Sequence, residues 1–256
     1  MVDGIFDSHA HYDDEAFDPD RDAVLRSLAE HGVRRVMNVG CDMESSRTGI
    51  ALGKQYDFLY SSVGVHPHSG QEIDDGSLAE LAQLSQAEKV CAIGEIGLDY
   101  HYDFCPREIQ LTAFERQLQL ARELDLPVII HSREAANDTL ELLKKYRPKG
   151  IVHCFSGSLE TAKEVLKLGM YIGFTGALTF KNARKAVEVV QYAPADRLLL
   201  ETDCPYMAPV PLRGQRCDST MLPYTLARMA ELKGLPPEEM ARITWQNACD
   251  VYRIRD

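Results

Sequence analysis

The sequence GIFDSHAH occupies residues 4–11 of this 256-residue chain and contains its first apolar run. Ile5 and Phe6 predict a short strand, and two histidines, His9 and His11, follow it. Side chains two positions apart on an extended segment point to the same side. Because neutral imidazole is the commonest metal ligand in proteins, the pair predicts a metal site at the end of this strand.

Five more candidate ligands repeat this arrangement farther along the chain. A carboxylate inside an apolar run is costly to bury unless it is paired or bound to a metal. The repetition predicts a ring of strands that delivers ligands to one mouth. Each of the five ends a short apolar run or lies just past one: His66, Glu95, His131, His153 and Asp203.

Short apolar runs alternate with helix-period segments along the whole chain, which is typical of parallel α/β proteins. Residues 219–233 and 236–252 predict two closing helices. We therefore predict a single (β/α)8 TIM barrel of the α/β class over residues 1–256, with its active site at the carboxyl ends of the strands. The eight predicted strands are 5–6, 35–39, 59–65, 92–98, 128–130, 151–152, 171–174 and 198–200.

The composition bounds the class of protein. A formal net charge of −11 argues against a broad basic surface for nucleic acid, although two divalent cations could still hold a phosphodiester locally. The seven cysteines are scattered without C-x-x-C spacing, which favours reduced thiols and a cytoplasmic location. No apolar run approaches the roughly 20 residues that span a bilayer, and the N-terminus lacks a secretory signal pattern. We predict neither a membrane nor an obligate protein partner.

Four histidines and two carboxylates are too many ligands for one tetrahedral ion. They suit two divalent ions roughly 3.5–4 Å apart, which share a bridging group. Glu95 is the natural bridge, because it lies near the middle of the strand order. Asp203 could ligate the first ion or take a proton from the bridging water. Zinc, manganese and magnesium all remain open. In this interpretation His9, His11 and Glu95 hold one ion, and His131, His153 and Glu95 hold the other.

Six motifs that span nearly the whole chain resemble the TatD family of metal-dependent deoxyribonucleases. The resemblance implies a TIM-barrel hydrolase that cleaves phosphodiester bonds of DNA, often from the 3′ end of single strands. It also implies His66 as a contact to the substrate phosphate and, as metal ligands, His9, His11, Glu95, His131, His153 and Asp203. The motifs are residues 7–11 (DSHAH), 64–68 (GVHPH), 94–100 (GEIGLDY), 127–133 (PVIIHSR), 153–157 (HCFSG) and 201–206 (ETDCPY).

One segment departs from the pattern of that family. After the arginine-glycine pair at residues 213–214, the family usually continues with a basic residue, Asn and Glu, whereas this chain has Arg216, Cys217 and Asp218. If the segment shapes the mouth, substrate preference differs from that of the family. The candidate metal ligands lie outside it.

Other residues have supporting roles in this hypothesis. Arg133 follows His131 closely, and its guanidinium suits a bidentate phosphate contact. Glu201 projects like Asp203 and could orient a ligand. Stacking on bases is one interpretation of the aromatic residues Phe155, Phe180 and Tyr206, with simple packing favoured for Phe155.

Two other functions remain open at this level. The same metal centre could hydrolyse an ester or amide bond, such as the bond to a D-amino acid misattached to tRNA, because one fold supports many chemistries. A metal-binding scaffold without catalysis is the second alternative, and the loss of a ligand would favour it. All six candidate ligands are present.

Overall fold

The computed structural model describes residues 2–255, and its eight strands form one parallel sheet in which each strand pairs with the next along the chain. Met1 and Asp256, the ends of the predicted domain, lie outside the described residues. The strands are β1 Ile5–Ala10, β2 Val33–Val39, β3 Leu59–Val63, β4 Val90–Asp99, β5 Val128–Arg133, β6 Gly150–Val152, β7 Tyr171–Phe174 and β8 Leu198–Leu200.

Seven helices connect successive strands of residues 2–255, and two more follow β8. The two predicted closing helices are present. The first, α8, begins at Leu222 and not at the predicted residue 219, because Ser219–Met221 form a short 3-10 turn. The helices are α1 Arg21–Ser27, α2 Met43–Gln55, α3 Asp75–Leu84, α4 Arg107–Glu123, α5 Ala136–Tyr146, α6 Leu159–Lys167, α7 Arg184–Tyr192, α8 Leu222–Lys233 and α9 Pro237–Tyr252.

Strand β1 closes the sheet by pairing with the chain just after β8. Ala10 and Cys204 form a parallel bridge. The amide of Asp203 donates to the carbonyl of His9, and the amide of His11 donates to the carbonyl of Cys204, each at 2.9 Å. The closed parallel sheet with its outer helices is a TIM barrel, so the predicted fold class is confirmed.

All eight predicted strands are present, but three of them run farther than their apolar residues. β1 continues through polar residues to Ala10, β4 continues to Asp99, and β5 continues to Arg133. Parallel pairing uses backbone groups, so it does not require apolar side chains. The polar side chains at these strand ends fill the mouth of the barrel instead of its core.

The apolar side chains form two layers, one inside the barrel and one between strands and helices. Inside, Phe6 and Leu199 share a cluster with residues of α9. The rings of Phe6 and Trp245 meet edge to face with centroids 5.8 Å apart. Helix α9 therefore covers the amino ends of the strands, and the carboxyl ends stay open. Within residues 2–255, none of the helices combines the length and apolarity that a bilayer crossing requires.

The buried carboxylate of Asp7 holds the seam between β1 and the chain after β8. It accepts hydrogen bonds from the amide of Thr202 at 3.0 Å, the hydroxyl of Thr202 at 2.7 Å and the hydroxyl of Ser219 at 2.6 Å. Burial raises the pKa of Asp7 to about 6, although these hydrogen bonds favour the charged form. Sequence analysis missed this role, because nothing in the local pattern shows which segments meet at the seam.

The raised pKa of Asp7 predicts a pH dependence of stability. Because the folded protein keeps this proton to higher pH than the unfolded chain, stability falls as pH rises from about 4 to about 6. Two pKa units correspond to about 3 kcal/mol. Urea unfolding of metal-free protein should therefore show the wild type losing about 3 kcal/mol relative to Asp7→Asn across this window. Parallel stability curves for the two proteins would contradict the assignment.

Candidate metal centre and active site

The two histidines of β1 present nitrogen atoms to the mouth of the barrel. The Nε2 atoms of His9 and His11 lie 3.0 Å apart, and both rings are buried. His11 Nδ1 lies 2.9 Å from the carbonyl oxygen of Val39. Since a carbonyl only accepts, Nδ1 carries a hydrogen. Burial lowers the pKa of His11, but Cys41 and Asp203 raise it well above its usual value, so Nε2 also carries a proton when no metal ion binds it. Burial, together with His153, lowers the pKa of His9 to about 4, so this ring, unlike that of His11, is neutral near pH 7.

Glu95 of β4 is the centre of the cluster, with 3% of its surface exposed. Its Oε1 lies 2.6 Å from Nε2 of His153 and 2.7 Å from Nδ1 of His131. Its Oε2 lies 3.4 Å from Nε2 of His9. Burial alone would raise the pKa of Glu95, but the charge of His153 and hydrogen bonds from the histidines hold it well below its usual range. One carboxylate thus faces two groups of imidazoles, one through each oxygen.

Asp203 reaches the same cluster from the loop after β8. Its Oδ1 lies 3.4 Å from Nε2 of His11 and 3.6 Å from Nε2 of His9. The residue adopts a left-handed φ of 61°, which aspartate tolerates better than most residues. Its side chain is 15% exposed, against 4% for Glu95. Asp203 is therefore the carboxylate that faces the open side of the cluster.

The residues present fit divalent metal ions. Nε2 of His11 lies 3.4 Å from Oδ1 of Asp203 and 3.8 Å from Oε2 of Glu95, and a divalent cation among these atoms would displace the proton that the ring carries in its absence. Imidazole nitrogens and carboxylate oxygens are the donors that zinc and other first-row ions prefer. Among the described residues, four groups have donor atoms within 4.8 Å of one another: His9, His11 and Asp203; His9, Glu95 and His153; His11, Cys41 and Glu95; His66, Glu95 and His131.

The two predicted substrate-binding residues, His66 and Arg133, lie at different distances from the cluster. His66 Nε2 lies 3.8 Å from Glu95 Oε1, so this histidine borders the cluster. Burial lowers its pKa well below the usual range, which keeps the ring neutral. The guanidinium of Arg133 instead lies over the ring of Tyr102, 4.7 Å from its centroid.

Asp99, at the end of β4, is a functional candidate that sequence analysis did not select. Its Oδ2 accepts from Nε2 of His131 and from Nε2 of His68, each at 3.1 Å. With Nε2–H donated to Asp99, Nδ1 is the atom that His131 would offer to a metal on the Glu95 side. Burial lowers the pKa of His131, but hydrogen bonds to Asp99 and Glu95 raise it to about 9. Its position at the end of a predicted strand is the sequence feature by which Asp99 could have been selected.

Glu201 lies behind the cluster, and its role as a ligand-orienting residue stays a prediction. It is fully buried, accepts from the amide of Cys154 at 2.5 Å, and has Oε1 3.8 Å from Nδ1 of His153. Burial raises its pKa to about 8. Glycine at 173 makes room for it, because a Cβ there would lie 2.2 Å from Oε2 of Glu201.

The cysteines have no evident catalytic role. All seven are free thiols, as predicted. Sγ of Cys41 lies 3.7 Å from Oε2 of Glu95, a neighbour that sequence analysis missed because nothing local marks it. Burial raises the pKa of Cys41 to about 12, so its thiol stays protonated.

The segment that departs from the family pattern serves the packing of the loop after β8. Arg216 donates two hydrogen bonds to the carboxylate of Asp20, each at 2.7 Å. Asp218 accepts from the amide of Thr220 at 2.9 Å and so begins the turn before α8. Cys217 is buried. An effect of this segment on substrate preference stays a prediction.

Known proteins resemble the chain over nearly its full length. A protein of Bacillus subtilis named uncharacterized metal-dependent hydrolase YabD is 43% identical over 253 residues, which cover 98% of this chain and 99% of that protein. A protein of Erwinia tasmaniensis named 3'-5' ssDNA/RNA exonuclease TatD is 34% identical over 259 residues, covering 98% of this chain and all of that protein.

A solved structure and a family model indicate the same relationship. The crystal structure of YJJV, a TatD homologue from Escherichia coli, superposes with a TM-score of 0.93 at 34% identity and covers all of both chains. The model of the family of TatD-related DNases matches residues 6–253. With a complete barrel and a His/Glu/Asp cluster at its mouth, this chain belongs to the TatD family of metal-dependent hydrolases.

Proposed function

We propose that this protein removes nucleotides from the 3′ end of single-stranded DNA by hydrolysis of phosphodiester bonds, with the whole chain forming one catalytic domain. The observation that carries the proposal is the cluster around Glu95, whose carboxylate faces imidazoles through both oxygens. The membership of the chain in a family of metal-dependent hydrolases supports it. So does the relative from Erwinia tasmaniensis, which is named an exonuclease of single-stranded DNA and RNA.

We assign two divalent ions to the cluster, and zinc, manganese or magnesium fits its donor set. His9 and His11 with Asp203 would hold one ion, His131 and His153 would hold the other, and Glu95 would be shared. When bound, such ions lower the pKa of a water molecule and polarise the scissile phosphate. The two oxygens of Glu95 face different imidazoles, His9 and His11 on one side and His131 and His153 on the other, which supports two ions over one.

The side chains around the proposed ions have distinct roles in hydrolysis. Asp203 accepts the proton of the attacking water, because it is the more exposed carboxylate of the cluster and adjoins both β1 histidines. His66 lies beside Glu95 and contacts the phosphate. Asp99 orients His131 through the hydrogen bond to Nε2, and Glu201 adjoins Nδ1 of His153 at 3.8 Å. Arg133, at the end of β5, binds a phosphate beyond the scissile one.

Degradation of a 5′-labelled single-stranded oligonucleotide with Mg²⁺ or Mn²⁺ tests the proposal. We expect a ladder that shortens from the 3′ end, no products in EDTA and none with His9→Ala. His31→Ala is the matched control, because His31 bonds to the carbonyl of Ser27 outside the cluster. A metal-loaded wild type that leaves DNA intact but hydrolyses D-aminoacyl-tRNA would overturn the nuclease assignment. Metal binding without any hydrolysis would indicate a scaffold.

Removal of the metal should lower thermal stability. A ligand present at 100 to 1,000 times its Kd stabilises the folded state by about 3 to 4 kcal/mol. For a chain of this size, that corresponds to a decrease of roughly 6 to 16 °C in Tm after treatment with EDTA. Scanning calorimetry with and without the metal measures the change. The Tm of His9→Ala should respond much less, and an equal response of both proteins would place the metal elsewhere.

A further inference from the structure

The loop at residues 100–106, between β4 and α4, carries two aromatic side chains in solvent. Tyr102 is 50% exposed and Phe104 is 69% exposed. Their rings are stacked, with centroids 5.4 Å apart and an interplanar angle of 7°. Isolated exposed apolar residues are ordinary on a protein surface. Two parallel rings held together in solvent are instead a surface suited to a third flat ring.

This aromatic pair borders the candidate metal centre. The ring of His68 meets the ring of Phe104 at 4.8 Å, and the ring of His66 meets that of His68 at 4.3 Å. The ring of His66 in turn lies 4.6 Å from that of His131. Three successive ring contacts therefore lead from Phe104 to a candidate metal ligand, so the pair lies on the rim of the same mouth.

Asp99 couples the loop to the centre. Its Oδ1 accepts from the backbone amides of His101 and Tyr102, at 2.9 and 3.0 Å, while its Oδ2 accepts from His131. Gln110 fixes the other end, because its amide group donates to the carbonyl oxygens of Asp99 and Cys105. A platform that is ordered before binding loses little conformational entropy when a ligand arrives.

The positive charge of Arg133 lies beside the aromatic pair and is complementary to the phosphates of a nucleic-acid strand. Arg133 lies over the ring of Tyr102, 4.7 Å from its centroid, and its guanidinium can contact a phosphate from that position. The net charge of the chain is −11, so broad electrostatic attraction cannot supply affinity for a polyanion. Stacking supplies affinity without sequence preference, since every base has a flat face.

We propose that Tyr102 and Phe104 form a stacking platform for an unpaired base of the substrate strand, and that Arg133 binds the phosphate next to this base. The platform rests on the proposed function, since it places a nucleotide beside the phosphate at the metal centre. It favours single strands, because the faces of a base inside a duplex are covered by the neighbouring stacked base pairs. Phe155 does not offer this surface, because it is buried.

Steady-state hydrolysis of two labelled strands tests the platform. One is an ordinary single-stranded oligonucleotide. The other has the same sequence with one abasic residue, which is placed at each of the last three 3′ positions in separate experiments. For the ordinary strand, Phe104→Ala should raise KM about tenfold with little change in kcat. It should have no effect on the strand that lacks the stacked base. Phe104→Trp should restore the wild-type KM.

Two controls separate stacking from other effects. Tyr192→Ala removes a tyrosine of similar exposure, 53%, that ends α7 at the opposite end of the barrel, and it should leave KM unchanged. The ratio of KM between Phe104→Ala and wild type should stay constant as salt increases, because stacking releases no counterions. A ratio that decreases towards one with added salt would indicate an electrostatic effect and overturn the platform.

The platform and the proposed function fail in different ways. If the wild type degrades both strands and Phe104→Ala has the wild-type KM on each, the hydrolase stands and the platform is wrong. If the wild type degrades neither strand, the nuclease proposal fails. A fluorescence titration of Phe104→Trp then decides on the platform. Quenching by the ordinary oligonucleotide but not by a fully abasic one supports it, and no quenching by either overturns it.

Discussion

Replacing Glu95 with alanine should reduce hydrolysis at least about a thousandfold, which corresponds to about 4 kcal/mol of lost transition-state stabilisation. The carboxylate lies within 2.7 Å of nitrogens of both His131 and His153 and within 3.4 Å of His9. Without it, the two groups of donors share no ligand, and neither group holds an ion as tightly. Metal analysis should show a decrease from about two ions per chain to fewer than one.

The fold should survive this substitution. Glu95 points into the mouth, whereas the apolar layers inside and outside the barrel do not depend on it. Circular dichroism should therefore match that of the wild type. Glu115→Ala is a control, because Glu115 pairs with Lys145 and Tyr146 on the outer helices. Full activity of a metal-stripped Glu95→Ala protein would refute the assignment of the centre.

Asp203→Asn should lower kcat by about a hundredfold to ten-thousandfold, the usual contribution of a general base. An amide keeps the shape of the side chain and one oxygen ligand but cannot accept the proton. We therefore expect a smaller loss of metal than with Glu95→Ala. The measurement is kcat for bis-p-nitrophenyl phosphate between pH 5 and pH 9, together with the metal content of each preparation.

Asp196→Asn is the matched control for this experiment. Asp196 lies just before β8 and Asp203 just after it, so the two residues flank the same strand at opposite ends of the barrel. The control should keep the wild-type kcat. A kcat for Asp203→Asn within tenfold of the wild-type value would show that another group takes the proton.

The fold could be predicted because its strands are marked by apolar runs in the sequence. Runs such as Ile151–Val152 and Leu198–Leu200 are apolar throughout, because a strand of a parallel barrel is buried on both faces. Boundaries were less predictable where polar residues continue the pairing. At the end of β1, Asp7 and Ala10 pair with β2 on either side of an irregularity, and the end of β4 pairs with β5. Both use backbone groups that no side-chain pattern reports.

The approach of the candidate ligands to one another was predictable for a topological reason. Parallel strands in sequential order end at the same rim, so His9, Glu95 and His131 meet although they are far apart in the chain. The order of residues along the chain therefore sufficed to place the cluster at the mouth.

Contacts between loops required the folded structure. Asp7 joins Thr202 and Ser219, Asp99 joins His68 to His131, and Arg133 lies over Tyr102. These contacts depend on rotamers and loop paths, which are set by packing between segments distant in sequence. A side chain's residue type and strand position follow from the chain alone, whereas its partner is chosen only when the barrel closes.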